Sequence, residues 1–162
     1  MPANTIALSS LPGPLRNDTQ LPHTCQKAAY AAGPLMIAAL RFFLVFACVS
    51  AALTIGVSAV AAHTLMLSTQ DAQALTWALD LQRFHALGLL VLVVLARQGM
   101  ANVWTLAAGA LFVAGTLLFC LNIELRLLHG IEVLRPLVPY GGMAFMAGWI
   151  ALAIGGWRLQ SD

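Results

Sequence analysis

Between Arg41 and Arg158 the chain carries a succession of apolar runs of about twenty residues, the length a helix needs to cross the hydrocarbon of a bilayer. They cover about 42–62, 78–96, 102–121 and 140–157. Such runs leave little choice of fold. Lipid offers no water to a backbone N–H or C=O, so each run satisfies its own backbone as a helix. Composition agrees, with 60% hydrophobic and 9% charged residues, against about 25% charged in soluble domains. The expected fold is an all-α membrane protein, a four-span transmembrane helical bundle over residues 36–158. Residues 1–35 read as a disordered N-terminal tail, polar and punctuated by Pro2, Pro12, Pro14, Pro22 and Pro34. An alternative is translation from Met36, because Met36-Ile-Ala-Ala-Leu-Arg41 before an apolar run has the form of a small membrane protein's start.

The first span is dense in small residues. Cys48, Ala52 and Gly56 recur every four positions, as do Thr54, Ser58 and Ala62, and such rows let helices approach closely in lipid. Arg41, the apolar run and Ala59-Val60-Ala61 imitate a signal peptide, but the run exceeds the 7–15 residues, roughly, of a signal core. Ser68-Thr69-Gln70-Asp71 has the form of a helix N-terminus, and the second helix is expected to run to a left-handed cap at Gly99. Trp77 is placed to anchor it at an interface. The short Gly99–Ala101 connection implies an antiparallel hairpin with the third span. Gly141, Gly142 and Gly148 allow close packing along the fourth. Cys25, Cys48 and Cys120 show no CxxC spacing and read as free thiols.

Basic residues near span ends favour cytoplasmic termini: Arg41, Arg97 and Arg158 share one side with Lys27 and Arg16. Chain direction then gathers His63, Gln82, Arg83, His85, Asn122, Glu124 and Tyr140 at the opposite, non-cytoplasmic edge, with His85 the deepest. Intramembrane ionisable groups are costly and mark function by default. Three readings follow. Gln82 and His85, three apart on one face, hydrogen-bond across helices and hold the bundle together. Or His85, Glu124 and Arg83 serve a small oligomeric transporter or channel, although no span is broken at its centre by Pro. Or His63 and His85 converge on haem or metal, although no third ligand with recognisable spacing appears. No basic patch suggests nucleic acid, and no stretch amounts to a catalytic signature.

Three motifs in order carry a resemblance: Ala62-His63 closing the first span, Gln82-x-x-His85-Ala86-Leu87 in the second, and Pro139-Tyr140-Gly141-Gly142-x-x-Phe145-x-x-Gly148-Trp149 opening the fourth. Together they resemble the YgdD/YwdK-like family, domain of unknown function 423, over roughly residues 36–158. Transmembrane protein 256 of eukaryotes looks related. The resemblance implies a small four-helix protein of the bacterial inner membrane with no assigned activity. The expected function is therefore non-enzymatic, without cofactor or metal. The expected partners are membrane lipids and either a second copy or another membrane protein.

Overall fold

The computed structural model describes residues 33–64, 66–132 and 135–158. The expected tail over 1–32 and Cys25 lie outside them. Five α-helices follow in order: α1 Pro34–Thr64, α2 Thr69–Leu95, α3 Val103–Gly115, α4 Asn122–His129 and α5 Val138–Arg158. Two π-helical turns interrupt the sequence, Ala96–Met100 at the end of α2 and Thr116–Leu121 between α3 and α4, and a 3₁₀ turn at Arg135–Leu137 precedes α5. Four helical stretches are long and apolar enough to cross a membrane: Pro34–His63, Thr69–Met100, Val103–His129 and Arg135–Trp157.

Local chemistry accounts for the boundaries. α1 opens at Pro34, inside the stretch expected as tail. Proline suits a first helical position because its fixed φ is already helical and its missing N–H is one the helix leaves unbonded. Ser68 Oγ accepts from the Asp71 N–H at 3.2 Å and donates to Asp71 Oδ2 at 2.8 Å, the expected cap of α2. The end of that helix comes at Gly99, whose φ of 106° only glycine adopts without strain. Asn102 then caps α3, its Oδ1 accepting from the N–H groups of Trp104 and Thr105 at 2.9 and 3.0 Å. Its Nδ2 donates to Gly155 O at 3.3 Å, tying the start of α3 to the end of α5.

The helices pack in series, α1 most extensively on α2 and α3 on α5. Ala47, Leu89, Leu92, Ala108, Phe112 and Cys120 have no exposed surface. The outward faces are apolar, with Phe42, Val45, Leu53, Val91, Met146 and Ile150 all more than half or nearly half exposed. In water this arrangement would collapse or aggregate; in lipid, apolar faces outside and close packing inside are the stable solution.

Each of the four helical stretches is longer than the span expected within it. Thr69–Met100 has 32 residues and Pro34–His63 has 30, about 48 and 45 Å of helix against roughly 30 Å of hydrocarbon. Hydropathy alone ends a span where polar residues begin. Here the helices continue, because their polar ends bond to one another: Arg126 Nη2 lies 3.6 Å from Asp71 Oδ1, joining α4 to the start of α2.

Candidate functional site

The seven polar residues expected at one edge divide by burial. His63 and Tyr140 are exposed. Arg83 is also exposed and pairs with Asp80, Nη1 to Oδ1 at 2.7 Å. Gln82, His85, Asn122 and Glu124 are buried, each with 2–3% exposure, but they lie at two levels. His85 stands at the centre of the Thr69–Met100 stretch. Asn122 and Glu124 open α4, toward the end of the third span.

His85 occupies an aromatic box. Its ring stacks on Phe145 at a centroid distance of 3.6 Å and an interplanar angle of 14°. Phe112 and Phe84 meet it edge-on, each at 5.3 Å. Both ring nitrogens are engaged. An indole N–H is a donor only, so the bond from Trp149 Nε1 to His85 Nε2 at 3.2 Å makes Nε2 an acceptor. The proton then resides on Nδ1, which donates to Leu81 O at 2.7 Å. This is a neutral imidazole with its hydrogen-bonding capacity filled. Phe145 and Trp149, four apart on α5, present one face to it. Both stand in the motif that opens the fourth span; their role depends on which helix they meet.

Gln82 looks the other way, toward α1. Its Nε2 donates to Ser50 O at 3.4 Å, while its Oε1 and the Ser50 Oγ, both buried, have no partner among the described residues. The Glu124 Oε1 is likewise buried and has no partner among the described residues. Ser50 was not among the expected site residues, since a single serine in a small-residue span carries no distinguishing signal.

The Gln82–Ser50 contact also fixes the register of α1 on α2 and separates the histidines. His63 is thirteen residues beyond Ser50, about 20 Å of helical rise toward the turn. His63 and His85 therefore do not converge on a common ligand. Among the described residues, no three His, Cys, Asp or Glu side chains group as metal ligands do.

The expected packing glycines divide. A Cβ on Gly141 would stand 2.6 Å from the backbone N of Phe119, and one on Gly148 would stand 2.7 Å from the Phe112 ring. At Gly142 the nearest atom is 3.9 Å away, an ordinary contact. Gly56 has nothing within 4 Å. The buried face of α1 carries Phe43, Ala47, Ser50 and Thr54, and two residues beyond Thr54 is about 200° around the helix, so Gly56 points outward.

The sequence profile of a family described as "Protein of unknown function (DUF423)" matches residues 57–142. The UPF0382 inner membrane protein YgdD of Escherichia coli (strain K12) is 32% identical over 123 residues, covering 74% of this chain and 92% of that protein. The chain belongs to the DUF423 family. The UPF0382 membrane protein YwdK of Bacillus subtilis (strain 168) is also 32% identical, covering 71% of this chain and 95% of its own length. The UPF0382 membrane protein SAB0533 of Staphylococcus aureus (strain bovine RF122 / ET3-1) is 32% identical over 118 residues, 71% and 94% of the two chains. No solved structure matches. The DUF423 profile takes in Gln82, His85, Asn122 and Glu124 but stops short of Ser50 and Trp149, the partners that α1 and α5 bring to Gln82 and His85.

Proposed function

We propose that this DUF423 protein is a non-enzymatic component of the bacterial inner membrane, with both termini in the cytoplasm. Its buried polar groups hold the bundle together, and it acts through its outer surface on lipids, a second copy or another membrane protein. One observation carries this reading. The most deeply placed ionisable ring, His85, spends its only proton on Leu81 O and its only ring lone pair on Trp149, leaving neither for a substrate. Gln82 similarly joins α2 to α1.

The test is His85→Leu and Gln82→Leu in full-length protein. Under this reading each lowers the melting temperature in detergent, by the loss of about 0.6 to 1.7 kcal/mol for an interhelical hydrogen bond in a membrane protein. Unchanged melting together with loss of proton or cation flux in vesicles would overturn it. A transport reading has its own support. Ser50 Oγ, Gln82 Oε1 and Glu124 Oε1 are all buried without partners among the described residues, and an unpartnered acceptor in a membrane interior attracts water, a proton or a cation. Flux abolished by Glu124→Gln, with melting unchanged, would favour that reading instead.

A further inference from the structure

At the end of the bundle where α1 turns into α2, a crevice of about 340 Å³ separates the two helices. Ser58, Ala61 and Ala62 of α1 and Ala72, Thr76 and Arg83 of α2 line it. Ser58 and Ala62 belong to a small-residue row that would be expected to draw helices together. Here the same residues leave room, with a guanidinium at the inner end.

Arg83 is held but not saturated. Nη1 donates to Asp80 Oδ1 and Nη2 to Ser58 Oγ, both at 2.7 Å. Ser58 in turn donates to Thr54 O at 2.6 Å, so its hydroxyl proton is committed and its lone pair faces the arginine. A guanidinium has five N–H groups; these two bonds use two and leave three.

The crevice also lies at a definite level. Measured from Arg97, about 20 residues of helix, or roughly 30 Å, reach the far edge of the hydrocarbon near Trp77. Trp77 is 62% exposed, as an interfacial anchor is. Arg83 starts inside that edge, but its head bonds to Ser58, eight residues nearer the turn than the Ser50 that faces Gln82. Asp80, its other partner, also lies on the rim side of Arg83, so the side chain runs toward the rim, as an arginine near a span end does.

We propose that this crevice binds the phosphodiester of a membrane phospholipid, with Arg83 as its anchor and the alanines admitting the glycerol ester region. Charge selects among phosphates. Asp80 balances Arg83 in the empty crevice, so a dianionic free phosphate leaves two charges uncompensated, whereas a phosphodiester brings one. Zwitterionic headgroups bring none in total and place an ammonium within reach of the exposed Asp80 carboxylate. The proposal deepens the reading of this protein as one that acts on lipid through its outer surface. It does not depend on the His85 box, so the melting of His85→Leu stands or falls separately.

The experiment is retention of phospholipid by purified full-length protein, read by native mass spectrometry, with dispersed phosphatidylethanolamine, phosphatidylglycerol or inorganic phosphate added. The expected result is one tightly retained phospholipid, unaffected by equimolar inorganic phosphate. Arg83→Gln is expected to weaken retention at least about tenfold, as loss of a charged hydrogen bond does. Arg126→Gln, which removes a partly exposed arginine outside the crevice, is expected to retain lipid as the parent does. Ala61→Leu fills the crevice without altering charge and gives the same loss as Arg83→Gln, which keeps the test open if that variant folds poorly. Retention unchanged in both Arg83→Gln and Ala61→Leu overturns the proposal, as does displacement of the lipid by equimolar inorganic phosphate.

Discussion

At the residue scale the molecule turns on a histidine whose two ring nitrogens are both bonded within the bundle. His85 stacks on Phe145 and bonds to Leu81 and Trp149, as a buried core aromatic does. The prediction at this scale concerns Trp149. Trp149→Phe keeps the ring against Phe112 and Phe84 but removes the N–H that satisfies Nε2. It should destabilise the protein by about 0.6–1.7 kcal/mol. In a double-mutant cycle with His85→Leu, melting curves should show that the second substitution costs less when the first is present; strict additivity would mean the bond contributes nothing. That Gln82 and His85 face the interior was legible, because polar groups three apart in an apolar helix must share a buried side. Their partners were not. Ser50 lies 32 residues away and Trp149 lies 64 away, and which pairs meet depends on interhelical register. Local spacing holds no information about that register.

At the scale of elements the decisive feature is the π-helical turn at Thr116–Leu121. Ala108, Phe112, Thr116, Cys120 and Glu124 are all buried, at strict intervals of four. In a regular α-helix sixteen residues at 100° each leave Glu124 about 160° away from Ala108, facing outward. The wider turn accommodates an extra residue and removes about 100° of that drift, keeping the file inside. The same turn brings the Phe119 backbone against Gly141. Gly141→Ala should therefore destabilise the protein by about 1–3 kcal/mol, since backbone cannot give way as a flexible side chain can. Gly56→Ala, meeting nothing within 4 Å, should stay within about 0.5 kcal/mol. Melting temperatures of the two variants side by side check this. Equal effects would show that Gly56 packs against something outside this chain. The sequence marked both glycines as packing positions because small-residue spacing shows that a face permits close approach, not that a helix lies against it.

At the scale of the whole molecule, four helical stretches of 23 to 32 residues outlast a hydrocarbon layer that needs about 20. Part of the excess, at the start of α2 and in α4, is bridged by Asp71 and Arg126. Orientation is a prediction of this scale. With Arg41, Arg97 and Arg158 on one side, a reporter fused after Asp162 should be active in the form that requires the cytoplasm, and the Arg83 crevice should open toward the non-cytoplasmic leaflet. Activity of the periplasmic form would invert both.

What the chain's own order of residues determined was the solvent and the repertoire. Long apolar runs can only be helices in lipid, Ser68 and Gly99 mark where one begins and ends, and two polar groups on one face must look inward. Each of these follows from chemistry within a few residues or from the bilayer itself. Only the tertiary structure decided which helix meets which, that His85 meets Phe145 and Trp149, that His63 stays away from it, and that a small-residue row encloses a crevice instead of a contact. Those outcomes depend on helix phase and register, and a single π turn resets them by about 100°. Hydropathy in lipid is blind to such a rotation, because lipid tails and apolar side chains offer a helix nearly the same surroundings.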